Sequence, residues 1–104
     1  MKFIFEVRIR PGFTAEQYAD AWVRARKIIQ TAHGARGTRL HRKIGDPNVL
    51  IAIAEWDSKA ARDAAAGAFP EADAIIRSAA EFCDITILGE FEDAEWIVLR
   101  ENSR

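Results

Sequence analysis

Residues 2 to 10 alternate in polarity, with Phe3, Phe5, Val7 and Ile9 on one side and Lys2, Ile4, Glu6, Arg8 and Arg10 on the other. A period of two is that of a strand with one apolar face. Pro11-Gly12 ends it, and Thr14 followed three residues later by Gln17 has the form of a helix N-cap with a capping box. Beyond that cap Ala15, Tyr18, Trp22, Ala25, Ile29 and Ala32 recur three and four residues apart, the spacing of one helical stripe, while Arg24, Arg26 and Lys27 fall mostly outside it. His33-Gly34-Ala35-Arg36-Gly37 stops the helix, and His33 is placed where a helix C-terminus favours positive charge. The pattern predicts a polar strand over Thr38 to Ile44, a tight turn at Gly45-Asp46-Pro47-Asn48 and an apolar strand over Val49 to Trp56. Asp57-Ser58 offers a cap for an alanine-rich helix that Gly67 and Pro70 interrupt. Pro70 suits the first turn of a further helix reaching about Phe82. Ile85 to Glu90 and Glu95 to Arg100 are expected as the last strand material, and Glu101 to Arg104 as a frayed tail.

This order of elements predicts an α+β fold: a ferredoxin-like split βαβ arrangement with an antiparallel sheet and both helical regions on one face. The other face carries Ile4 and either Leu50, Ala52, Ala54 and Trp56 or Val49, Ile51 and Ile53. Either set is too apolar to stay wet, which predicts a homodimer closed over it. The length, 104 residues, fits a single domain over 1–104 and excludes Rossmann and TIM-barrel enzymes. The longest apolar run, Val49 to Ala54, is far below the roughly 20 residues of a membrane span, and the early charges Lys2 and Glu6 argue against a signal peptide. No membrane partner and a cytoplasmic location are expected. A single cysteine fits a reducing compartment. Net charge is −1, yet residues 1–50 hold ten basic against four acidic side chains and residues 51–104 five against twelve. Two oppositely charged halves fit complementarity within or between subunits better than a polyanion surface. The third strand lacks the basic-Gly-aromatic signature of RNA-recognition sheets, so no nucleic acid is expected.

The first strand ending in Pro11-Gly12, the helix with Tyr18 and Trp22, the Gly34 to Gly37 loop, the Asp46-Pro47-Asn48 turn and the strand closing on Glu55-Trp56-Asp57-Ser58 resemble the antibiotic biosynthesis monooxygenase-like domains of the dimeric α/β-barrel superfamily. Element order agrees over the whole chain, and the residue-level likeness runs from about Met1 to Ala66. The resemblance implies a homodimer with facing sheets and a pocket in each subunit between sheet and helices. Members of that family include enzymes that oxidise phenolic polyketides or quinols with dioxygen and no cofactor, and others that degrade haem. Haem-degrading members use an Asn in the first strand, a Trp in the second helical region and a later His. Here Val7 stands at the Asn position, residues 58 to 82 hold no Trp and no His follows His41.

The function expected on this basis is cofactor-independent monooxygenation of a small aromatic or quinol-type substrate. The alternative is a non-catalytic ligand-binding or structural homodimer of the same fold. Oxygenation without a cofactor requires an electron-rich substrate anion, groups that stabilise it and a dry pocket. His41, among Arg39, Arg42 and Lys43, is the candidate general base, and Tyr18 the second candidate catalytic residue. Trp22, Trp56, Val7 and Phe5 are the candidate substrate contacts, positions that core packing would also explain. Trp96 is expected at the dimer contact. Cys83 lies between Glu81 and Asp84, which disfavour a thiolate. The sequence has no Cys/His cluster and no phosphate loop, so neither a metal nor a cofactor is expected.

Overall fold

A computed structural model describes residues 1–101, and positions 102–104 of the expected tail lie outside the described residues. In chain order the elements are β1 (Lys2–Ile9), α1 (Ala15–Ile29), β2 (Ala35–Lys43), β3 (Asp46–Trp56), α2 (Lys59–Ala65), α3 (Pro70–Ala79) and β4 (Cys83–Phe91). The four strands form one antiparallel sheet in the order β2-β3-β1-β4. This is the ferredoxin-like α+β arrangement that the element order predicts.

The helices start where the sequence signals them. The Gln17 amide donates to Thr14 Oγ1 at 3.1 Å and the Thr14 amide to Gln17 Oε1 at 2.7 Å, a complete capping box at the head of α1. Ser58 caps α2 through the Ala61 amide at 3.1 Å, and Pro70 opens α3, where its missing N–H has no helical partner to lose.

Register settles which β3 residues face the helices. Phe5 pairs with Ala52 and Val7 with Leu50, so Leu50, Ala52, Ala54 and Trp56 join the helix-covered face. Ile51 and Ile53 therefore turn with Ile4 to the helix-free face. The core gathers Phe5, Val7, Leu50 and Ala52 from the sheet with Ala15, Tyr18 and Ala21 from α1 and Ala79 from α3.

Two expectations are corrected. The hairpin turns at Ile44-Gly45 rather than at Gly45 to Asn48, because Asp46 already pairs with Lys43. The register then slips, and Pro47, which has no N–H to donate, sits in the irregular stretch between the Lys43–Asp46 and Arg42–Leu50 pairs. Glu95 to Arg100 forms no strand. The Met1 ammonium holds Asp93 at 2.7 Å, and the described chain beyond it pairs with neither open edge of the sheet, β2 or β4. Trp96 and Val98 there are 86% and 99% exposed.

Gly34 marks the tightest approach between the loop after α1 and α2. It adopts φ +85, and a Cβ there would lie 2.6 Å from Ala61 Cβ. Gly12 has nearly the same φ, +89, with nothing within 4 Å. Gly34→Ala should therefore lose about 1–3 kcal/mol more than Gly12→Ala, the cost of overpacking added to a shared backbone strain. Urea denaturation of the two variants checks this, and equal losses would refute it.

Candidate functional site

An apolar cavity of about 300 Å³ lies between the helix-covered face of the sheet and the helices α1 and α3. Phe3 and Phe5 of β1 line it on the sheet side, with Ile85 and Ile87 of the edge strand β4. Ala79 and Ile76 of α3 face them. The remaining wall is a single face of α1, from which Tyr18, Trp22 and Arg26 project at intervals of four residues.

These three side chains carry the polar atoms of an otherwise greasy wall. Burial, with a smaller push from Cys83, raises Tyr18 to about 12, so its phenol stays protonated and able to donate a hydrogen bond at neutral pH. The indole Nε1 of Trp22 is buried and has no hydrogen-bond partner. Arg26 lies 5.6 Å from the centre of the Phe5 ring, a cation–π distance. Burial lowers its pKa, and its charge is felt by Tyr18 and Arg62 rather than by a carboxylate. Cys83 also lines the cavity, and burial raises its pKa above the ordinary thiol value.

The sequence candidates divide between three places. Tyr18, Trp22 and Phe5 meet in this cavity. Trp56 lines a second cavity of about 260 Å³ with Phe69, Arg62 and Ala65. Val7 is 0% exposed and supports the cavity from within the core without lining it. His41 is exposed and pairs with Ile51, which puts its side chain on the helix-free face, the side of the sheet away from Tyr18. Strand alternation thus turns the candidate base His41 away from this cavity, while its neighbour Leu40 packs on the core.

Arg26 was placed outside the apolar stripe by its charge. The signal that finds it is the exact repeat of four from Tyr18 through Trp22, which holds three side chains in one row over two turns.

The sequence pattern of the family described as antibiotic biosynthesis monooxygenase matches residues 1–68. The chain belongs to this family. The matched antibiotic biosynthesis monooxygenase segment runs from β1 into the loop before α3 and contains the α1 face with its three polar groups. No curated protein sequence matches the chain. Among solved structures it is similar to a mutant form of SnoaB, a cofactor-independent oxygenase from Streptomyces nogalater, with TM-score 0.78 and 15% identity over 89% of this chain and 92% of that one. It is similar also to PA3566 from Pseudomonas aeruginosa, with TM-score 0.65 and 18% identity over 88% and 93%. A conserved protein from Methanosarcina mazei Go1 gives TM-score 0.69 and 12% identity over 86% and 91%. At these identities the structural likenesses speak for the fold.

Proposed function

We propose that this chain is a cofactor-independent monooxygenase that oxidises a small, flat phenol or quinol with dioxygen, working as a homodimer. The observation that carries the reading is the apolar cavity with its donors confined to one wall. Family membership and the fold shared with a cofactor-independent oxygenase support it.

An aromatic ring fits between the Phe3 and Phe5 side and the Ile76 side of the cavity, where the lining excludes water. Its oxygen meets the neutral Tyr18 hydroxyl, which binds an oxyanion more strongly than a phenol. The substrate's acidity rises, and its proton passes to solvent at the open side of the cavity. The resulting electron-rich anion is the reductant of dioxygen. At a doubly benzylic CH2 one oxygen atom becomes the carbonyl, and the other leaves with the two displaced hydrogens as water. The substrate supplies all four electrons that reduce dioxygen, so no external reductant enters the balance.

Oxygen uptake with anthrones and simple quinols, compared with anaerobic incubation, tests the proposal. Tyr18→Phe should lower kcat about 100-fold, the scale for losing one oxyanion donor. Uptake no faster than in protein-free buffer would sink the oxygenase reading.

A second reading, a ligand-binding dimer without chemistry, is favoured by one observation. The phenol and the thiol of the cavity wall are displaced away from neutrality, with Tyr18 pushed up to about 12 and Cys83 raised by burial. Quenching of Trp22 fluorescence by the same compounds without oxygen uptake is the result that selects it.

A further inference from the structure

The two cavities share Phe3, Arg26 and Ile76 in their walls, so Arg26 stands at their junction. A guanidinium is an expensive occupant for that place. It is partly buried on a helix whose other inward positions are mostly apolar, and its nearest aromatic neighbour is the Phe5 ring. The other arginines around it have carboxylates: Arg62 has Glu90 at 3.3 Å and Arg24 has Asp20 at 3.2 Å. Arg26 has none among the described residues, and Asp73, which lines the second cavity, does not contribute to its charge environment. Desolvating a cation without a counter-ion costs free energy, whereas a leucine or methionine at the same helix position would close the wall at no such cost. One turn earlier on the same face, the Trp22 Nε1 is the buried donor that has no acceptor. Two donors left unanswered side by side lack the same thing, an anionic acceptor.

We infer that Arg26, with the Trp22 N–H beside it, is an anion receptor at the junction of the two cavities, and that the ligand is a flat aromatic compound bearing an ionised acidic group such as a carboxylate or sulfonate. This rests on the first cavity being an aromatic slot, as in the proposed function, and is independent of whether oxygen chemistry occurs there. The aromatic body occupies the apolar cavity, and the acidic group faces the guanidinium fork, which suits a planar anion in two-point contact. Arg62, stacked 3.7 Å over the neighbouring Phe3 ring, lines the second cavity with Arg26 but is already paired with Glu90. Asp73 disfavours a second anion deeper in the second cavity. The arrangement therefore selects an acidic group at one end of the molecule, set apart from the ring that occupies the apolar cavity.

Fluorescence titration with 8-anilinonaphthalene-1-sulfonate and with N-phenyl-1-naphthylamine, the same ring system without the sulfonate, tests the inference. Binding of either probe to exposed apolar surface is common to both and cancels in the ratio. The native protein should prefer the sulfonate. Arg26→Gln should weaken the sulfonate about 10-fold or more and leave the neutral probe within about twofold, whereas Arg26→Lys should recover most of the preference through its retained charge. Trp22→Phe should weaken the sulfonate about threefold. Equal weakening of both probes by Arg26→Gln, or no change in their ratio, would overturn the inference. Persistence of the preference in a protein that takes up no oxygen would leave the inference standing and remove the oxygenase reading. Oxygen uptake without any preference would do the reverse.

Discussion

Phe5→Ala is expected to destabilise the fold by about 3–5 kcal/mol, the range for removing a buried aromatic ring. Phe5 is 4% exposed and pairs with Ala52 on one side and Ile87 on the other. Its ring lies 5.7 Å from that of Phe3 and beneath the Arg26 guanidinium. Ala52 is too small to fill the space that the ring would vacate, and the cavity beside it gives the neighbouring side chains no reason to collapse inward. Domains of this size hold about 5–15 kcal/mol in total, so the variant should sit near its unfolding threshold. Phe5→Leu keeps most of the volume and should lose under about 1.5 kcal/mol, while weakening a flat ligand through the missing aromatic surface. Urea denaturation midpoints at unchanged slope measure both. A loss under about 1 kcal/mol for Phe5→Ala would show that the β1 core is not packed as described.

The parts of this fold that were legible in the sequence are those governed by local chemistry. Thr14 and Gln17 are three apart and bond each other's backbone whatever the rest of the chain does. Pro70 is tolerated in a helix only in its first turn, and period-two alternation in Lys2 to Ile9 needs only a sheet with one covered face. What was not legible depends on pairing. The β3 register could place either alternating set toward the helices, and only the Phe5–Ala52 and Val7–Leu50 pairs decide it. Glu95 to Arg100 has the composition of a strand, yet it pairs with neither open edge of the sheet, β2 or β4, and composition alone does not tell a strand from an extended segment without a partner.

The candidate site divides along the same line. Tyr18 and Trp22 were legible because helical spacing alone puts them on one face. His41 has the side-chain chemistry and the basic neighbours of a general base, properties that say nothing about which side of a strand it occupies. Arg26 was passed over for its charge, although its spacing from Trp22 equals that of Trp22 from Tyr18.

The uneven charge of the two halves of the sequence also acquires a physical form. Lys2 pairs with Glu55 at 2.8 Å, Arg10 with Asp84 at 2.8 Å and Arg36 with Asp57 at 3.5 Å, each joining the basic half to the acidic half. These pairs are exposed and individually add little stability. Arg10 and Lys2 hold the carboxyls of Asp84 and Glu55 below their ordinary values, so whatever the pairs contribute is present at neutral pH and is lost as pH falls through those lowered values. Interleaving of the strands spends the charge asymmetry inside the chain. Arg26, in phase with the core and without such a partner, remains for a ligand.

Ile53→Lys is expected to separate the proposed homodimer into single chains. Ile53 sits on the helix-free face between Ile4 of β1 and Arg39 of β2, beside Ile51 on the same strand. No helix covers these side chains, and the Trp96 to Leu99 segment likewise leaves its apolar side chains exposed. Two copies placed face to face would bury the patch around Ile53, and the exposed Trp96 segment offers further apolar surface to the contact. A lysine in the middle of that contact leaves two unpaired charges, one from each copy, and should weaken association at least about 100-fold. In a separate chain the same lysine points to water, so folding stability should change by about 1 kcal/mol or less. Trp96→Ala should weaken the dimer more modestly. Sedimentation or light scattering at micromolar concentration reads the result against a chain mass of 11.7 kDa. Twice that mass for the native protein and the single-chain mass for Ile53→Lys are the expected pair, and a native protein already at 11.7 kDa would remove the dimer from the proposed function.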